Sequence, residues 1–301
     1  NDRKEFGNSA IFQILIDELI FLQSVGILID INGQGERIYF ALGLVLGDNL
    51  GLHSLLGMVE SFSATYHCRF CLATKNHCKN LCKEDVNLLR TKSWYDEHIK
   101  PDTLDLGIKE ICIFNQINGF HFSENYAVDI MHDVLEGVCN YVMTAILQKF
   151  ILDLKLFSLE ILNYRIKTFN FGIHDINRPP RINRESLNTK LRMSASEMLS
   201  FCRYFGLIIG DMIPRNNHIW QTYLLLKKLL DIILSPILHR NTYIVLNDLI
   251  LDFLTNCIDV LHLTLKPKFH HLIHYGRVFR MSGPLMLHWS MRFEAKHRES
   301  K

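Results

Sequence analysis

The chain has 301 residues, 48% of them hydrophobic and 21% charged, with only 7 Pro and 16 Gly. That composition excludes a disordered or low-complexity chain and supplies enough apolar side chains for one large domain or two modest ones. A net charge of +2 excludes binding of nucleic acid through bulk charge alone, and no apolar run reaches the ~18–20 residues of a membrane span. The opening residues NDRKEFGNSA are charged where a signal peptide needs an apolar region. The expectation is a soluble chain without a leader, cut from something longer.

From 9 to 24 the spacing of Ile11, Leu15, Leu19 and Leu22 predicts a helix with one apolar face, Asp17 and Glu18 lying outside it. Gly26 stops it. GILIDI (26–31) and ERIYFALGLVLGD (36–48) then read as two strands joined by Asn32-Gly33-Gln34-Gly35. The second is nearly continuous apolar sequence, which suits a strand buried on both faces. It ends at Gly47-Asp48-Asn49. A carboxylate at the C-terminal end of such a strand sits where open α/β sheets bind ligands. The plainer alternative for Asp48 is a turn aspartate.

Of eight cysteines, Cys68, Cys71, Cys78 and Cys82 fall within fifteen residues. Cys112, Cys139, Cys202 and Cys257 are scattered through apolar contexts that fit ordinary buried thiols. Clustering without secretion signals argues for metal over disulfides. A Cys-x-x-Cys loop such as Cys68-Arg69-Phe70-Cys71 brings two thiolates to one Zn²⁺, half of a tetrahedral site. Cys78 and Cys82, with His77 as an alternative, would complete a local knuckle.

Beyond Cys82 the periodicity is helical, over 126–154, 194–212, 219–238 and 242–264, with a loop over 169–183 containing Arg178-Pro179-Pro180-Arg181. Asp129-Ile130-Met131-His132-Asp133 heads the first of these helices, where Asp129 can serve as a cap. In Lys268-Phe269-His270-His271-Leu272-Ile273-His274, His270 and His274 lie one helical turn apart, as a chelating pair or as ordinary histidines. Glu294, among Arg292, Lys296 and Arg298, reads by itself as an ion-paired helix face. Arg178, Arg181, Arg184, Lys190 and Arg192 form a basic stretch suited to phosphate or to plain solvation, and Lys266, Lys268, Arg292, Lys296 and Arg298 form a second.

Taken in order, Asp48, the Cys-x-x-Cys, the Asp-x-x-His element, the helical stretch, the paired histidines and Glu294 resemble the catalytic core of eukaryotic DDE cut-and-paste transposases. The order resembles especially the CACTA/EnSpm-like group, and the arrangement is also similar to the Transib/V(D)J recombinase group. The strings GDNLGLHSLLG, CRFC, VDIMHDVLEGV, LKPKFHHLIHYGR and MRFEAKHRES carry the resemblance, which covers nearly the whole chain.

The resemblance implies an α/β ribonuclease-H-like catalytic fold, here partial, interrupted by a large all-helical insertion and predominantly helical overall. Its segments would be 1–66 (α/β), 67–125 (Cys-rich, zinc-associated), 126–265 (helical insertion) and 266–301 (return to the catalytic fold). It implies metal-dependent DNA strand cleavage and transfer, with Asp48 and Glu294 holding Mg²⁺ or Mn²⁺. It implies a structural Zn²⁺ on Cys68, Cys71, His270 and His274, with His271 a competing ligand. Asp129 and His132 match an element whose role is structural. DNA is the implied partner, with Arg178, Arg181, Arg184, Lys190, Arg192, Lys296 and Arg298 as contacts. The implied location is the nucleus, and a homodimer is allowed. The first acidic residue of the triad has no counterpart here, so the expectation is a core inactive as an isolated chain. Two other readings stay open: a non-catalytic, zinc-stabilised DNA-binding or protein-interaction module, and a helical scaffold with a local zinc knuckle.

Overall fold

Helices dominate the described residues, which are 2–100, 104–173, 176–291 and 293 of a computed structural model. The chain divides into two units, one of Asn1–Asn76 with Asp85–Ala127 and one of His77–Glu84 with Val128–Lys301.

The first unit opens with helix α1 (Asp2–Ser24), broken at Gly7, whose φ of 78° and ψ of 168° are not helical. Asn8, the next residue, sets the rotation of the remaining turns. Its buried amide donates to the carbonyls of Ser54 at 2.7 Å and Leu55 at 3.3 Å, and its backbone N–H donates to Glu110 at 3.0 Å. One and two turns later Phe12 packs on Phe114, with centroids 5.9 Å apart, and Ile16 is fully buried. The expected stripe is therefore rotated: Ile11 and Leu15 stay 41% and 42% exposed.

Strands β1 (Ile27–Ile31) and β2 (Gln34–Ile38) form an antiparallel hairpin in which Ile31 faces Gln34. The connecting turn is thus Asn32-Gly33, both at positive φ (55° and 84°), the geometry a two-residue hairpin loop needs for its twist to match the strands. The expected buried strand over 36–48 is not formed. β2 ends at Ile38, and the later residues make one parallel bridge, Val45 to Tyr126. A strand buried on both faces needs a ladder on each side; here Tyr39 and Phe40 stay 58% and 44% exposed. The described residues hold this hairpin and no larger sheet. Helices α2 (Asn49–Leu55) and α3 (Lys92–His98) complete the unit, capped by Asp48 and Thr91.

The second unit is built around a helix heading its main segment: π-helical turns at Met131–Val138, α4 (Cys139–Gln148), then π-helical turns at Lys149–Asp153. Val142, Met143, Ile146, Leu147 and Phe150 are fully buried, as expected of a helix that is apolar on nearly every side. α6 (Arg184–Asn188), α7 (Ala195–Ile209) and α8 (His218–Ile233) pack on it, while α5 (Leu159–Thr168) packs on α7 and α9 (Thr242–Asp259) on α8. Ser194 and Glu197 form a reciprocal capping box at the start of α7, and Asn217 caps α8. Tyr223 on α8 ties these two helices: its hydroxyl donates to the Cys202 carbonyl at 3.1 Å and accepts from the Gly206 N–H at 2.8 Å. No described helix is long and apolar enough to cross a membrane.

Two short helices close the unit, α10 (Pro267–Leu272) and α11 (Tyr275–Ser282). Pro267 opens α10, where its fixed φ suits the first turn and its missing N–H costs nothing. α11 lies so close to α9 that a Cβ on Gly276 would come within 1.9 Å of Asn247 Oδ1 and 2.7 Å of its Cγ. Asn247 is exposed, and its side chain has to turn away to make room. Gly276→Ala is expected to destabilise the chain by about 1 kcal/mol, the low end of the range for overpacking. Urea unfolding should show a lower midpoint at unchanged slope; an unchanged midpoint would contradict this helix spacing.

Candidate metal centre

In the first unit Cys68 and Cys71 lie on an irregular segment that pairs with 88–90. Cys71 bridges Leu89, the Leu72 N–H donates to the Leu88 carbonyl at 2.7 Å, and the Arg90 N–H to the Phe70 carbonyl at 3.0 Å. Within the Cys-x-x-Cys turn the Phe70 N–H donates to Cys68 Sγ at 3.4 Å, a contact that favours sulfur in its electron-rich thiolate form. Two arginines hold the turn from inside. Arg90, 2% exposed, donates to the carbonyls of Cys68 at 3.0 Å and Leu106 at 2.6 Å. Arg69, fully buried, donates to Asn49 Oδ1 at 2.7 Å and the Ala127 carbonyl at 3.2 Å, with its guanidinium 4.4 Å from the Phe70 centroid. Burial pulls Arg90 below the ordinary arginine range, and the neighbouring Cys68 and Cys71 oppose that shift.

In the second unit His270 lies in the last turn of α10, and His274 is the N-cap of α11. The helix re-forms between them, yet Ile273 and His274 keep right-handed helical angles, so the two rings stay neighbours at 5.2 Å, nearly perpendicular. His274 Nδ1 donates to Glu84 Oε1 at 2.5 Å, and Arg277 Nε donates to the same oxygen at 3.0 Å. Burial raises the Glu84 carboxyl, but His274 and Arg277 outweigh it and hold it below the usual carboxylate range. His271 is engaged elsewhere: its Nδ1 lies 2.8 Å from Asp133 Oδ1, while the Tyr275 hydroxyl donates to Asp133 Oδ2 at 3.3 Å.

Cys68, Cys71, His270 and His274 form one buried group that could hold a metal ion such as zinc, their donor atoms all within 4.8 Å of one another. Two sulfurs and two imidazole nitrogens are a tetrahedral zinc set, and a Zn–S bond of ~2.3 Å implies donor separations of ~3.8 Å. Side-chain shifts of about an ångström would therefore close the four around an ion. His271, Cys78 and Cys82 are not in the group. Cys82 lies by α9, where its thiol meets Thr255 and burial raises its pKa.

Of the other expected site residues, Asp48 does not end a buried strand. It is exposed and caps α2, its Oδ1 accepting from the Gly51 N–H at 2.5 Å. It belongs to no group of three or more ligands among the described residues. Glu294, Lys296 and Arg298, with Arg292, lie outside the described residues. Asp129 is fully buried and receives His132 Nδ1 at 2.5 Å and the Ser290 hydroxyl at 2.8 Å, so this element ties together positions 161 residues apart. Lys266 sits 4.0 Å over the Tyr141 ring, and the Lys268 stem covers Gly137. Arg178, Arg181, Arg184, Lys190 and Arg192 are all exposed.

Glu84, Asp133, Arg69 and Arg90 were not singled out by the sequence. Asp133 and Arg69 stand inside motifs that were, Asp133 one residue after His132 and Arg69 between the two cysteines. Compared with known proteins, the chain matches no protein-family model and no curated sequence.

Proposed function

We propose that Cys68, Cys71, His270 and His274 hold one structural Zn²⁺ in a core of the DDE-transposase type whose helical insertion meets DNA. One observation carries this reading: the buried four-donor group joins a Cys-x-x-Cys to two histidines some two hundred residues later, the pairing that the ordered resemblance implies. Four protein ligands leave no open position, so the zinc is structural rather than catalytic. Under the same reading Asp48 and Glu294 offer hard carboxylate oxygens to Mg²⁺ or Mn²⁺, the ions suited to in-line displacement at phosphorus, within a ribonuclease-H-like fold. The order of the motifs supports that part. A non-catalytic zinc-stabilised module is the second reading, and the engagement of Asp48 as a helix cap favours it.

DNA would lie against the exposed basic stretch. Arg178 and Arg181 line a cleft of about 500 Å³ together with Asn163, Tyr164, Lys167 and Glu160. Asn163 fixes the loop there, its amide exchanging two 2.8 Å hydrogen bonds with the Ile182 backbone. Arg192 meets Glu185 at 3.3 Å, but both are well exposed, and such a pair is weak enough to yield to phosphate. Duplex DNA binding should fall steeply with salt, and the Arg178→Ala, Arg181→Ala, Arg184→Ala triple variant should lower the slope of log K against log salt by about 3. Salt-insensitive binding, or an unchanged slope in the triple variant, would contradict the assignment.

A further inference from the structure

We infer that Glu84 is the positioning residue for the zinc ligand His274, an inference that rests on the zinc reading. An imidazole binds metal through one nitrogen, and the hydrogen bond made by the other decides which one. Here the choice is made by position. Glu84 Oε1 accepts a hydrogen bond from His274 Nδ1–H at 2.5 Å, which leaves Nε2 as the lone-pair donor. The carboxylate is itself held, because Arg277, three residues further along α11, donates Nε to the same oxygen at 3.0 Å.

The three groups are shielded from water. His274 is fully buried, and the Glu84 and Arg277 side chains are each 19% exposed. A carboxylate in that setting orients the ring and raises the basicity of the coordinating nitrogen. The segment His77–Glu84 is kept in place by its 3₁₀ turn, His77–Lys79, which packs on α10. The metal set would therefore have a supporting shell contributed by a stretch whose own cysteines, Cys78 and Cys82, are not among the four ligands.

His271 gives an internal contrast. It makes the same kind of bond to a carboxylate, Asp133, yet stands outside the four-donor group. A carboxylate partner by itself does not make a ligand; the one that matters for metal is the one holding His274.

The test is zinc affinity of the full chain by chelator competition, together with the visible spectrum of the Co²⁺-substituted protein. Glu84→Ala should weaken zinc by about 10- to 100-fold, the usual cost of removing an outer-shell partner, and should alter the Co²⁺ bands. Glu84→Gln keeps an acceptor for Nδ1 without the charge and should recover part of the loss; it also serves if the alanine variant folds poorly. Affinities of both variants within two-fold of the parent, in a protein where Cys68→Ser does abolish zinc binding, would overturn the role of Glu84. Full zinc binding by Cys68→Ser would overturn the metal assignment and this inference with it.

Discussion

Cys68→Ser will leave the chain without tightly bound zinc and lower its stability by about 4 kcal/mol at free zinc a thousand-fold above the parent's dissociation constant. The figure comes from mass action, since an ion that binds only the folded chain stabilises it in proportion to the logarithm of its excess. Structural zinc in small peptides contributes about 10–16 kcal/mol because nothing else holds them together. Here the helices around α4 bury a large apolar core of their own, so chelation should weaken the fold without abolishing it. Urea unfolding of three samples checks this: zinc-loaded parent, chelated parent, and Cys68→Ser with zinc. The last two should coincide, well below the first. Cys82→Ser, outside the four-donor group, should retain the zinc dependence of the parent. A parent indifferent to chelation would contradict the account.

The second large effect is expected at Asp133. Its carboxylate is fully buried and joins His271, 1% exposed, to Tyr275, fully buried. Asp133→Ala removes the charge and the acceptor that both side chains use in a dry interior. Breaking such a buried arrangement by deleting one side costs about 3–5 kcal/mol. Asp133→Asn keeps an acceptor and should cost less. Zinc content of the folded fraction should not change in either, because His271 is tied to Asp133 and is not one of the four donors. A loss below about 1 kcal/mol for the alanine variant would mean that the network contributes little beyond packing.

Helices were the legible part of the fold. Their 3.6-residue spacing places helices from 194, 219 and 242, against observed starts at Ala195, His218 and Thr242. The apolar run over 39–48 was misleading, because a buried strand and an irregular segment with one bridge can share a composition; only neighbouring strands distinguish them. The rotation of α1 was illegible for a similar reason: it is set by Asn8 bonding to Ser54, forty-six residues away. At the metal centre, the Cys-x-x-Cys was plain from local spacing, which by itself pointed to Cys78 and Cys82. Helical spacing offered His270 and His274 as a chelating pair, but only the ordered resemblance joined them to the Cys-x-x-Cys. Glu84 carries no local signature, since an acidic residue in Lys-Glu-Asp looks like any solvated stretch until His274 is placed against it.

The measurement that bears most directly on the central claim is zinc K-edge X-ray absorption of the full chain. The account predicts two sulfur neighbours at ~2.3 Å and two nitrogen neighbours at ~2.0–2.1 Å. Four sulfur neighbours would instead show that Cys78 and Cys82 complete a local knuckle, and would contradict the assignment of His270 and His274.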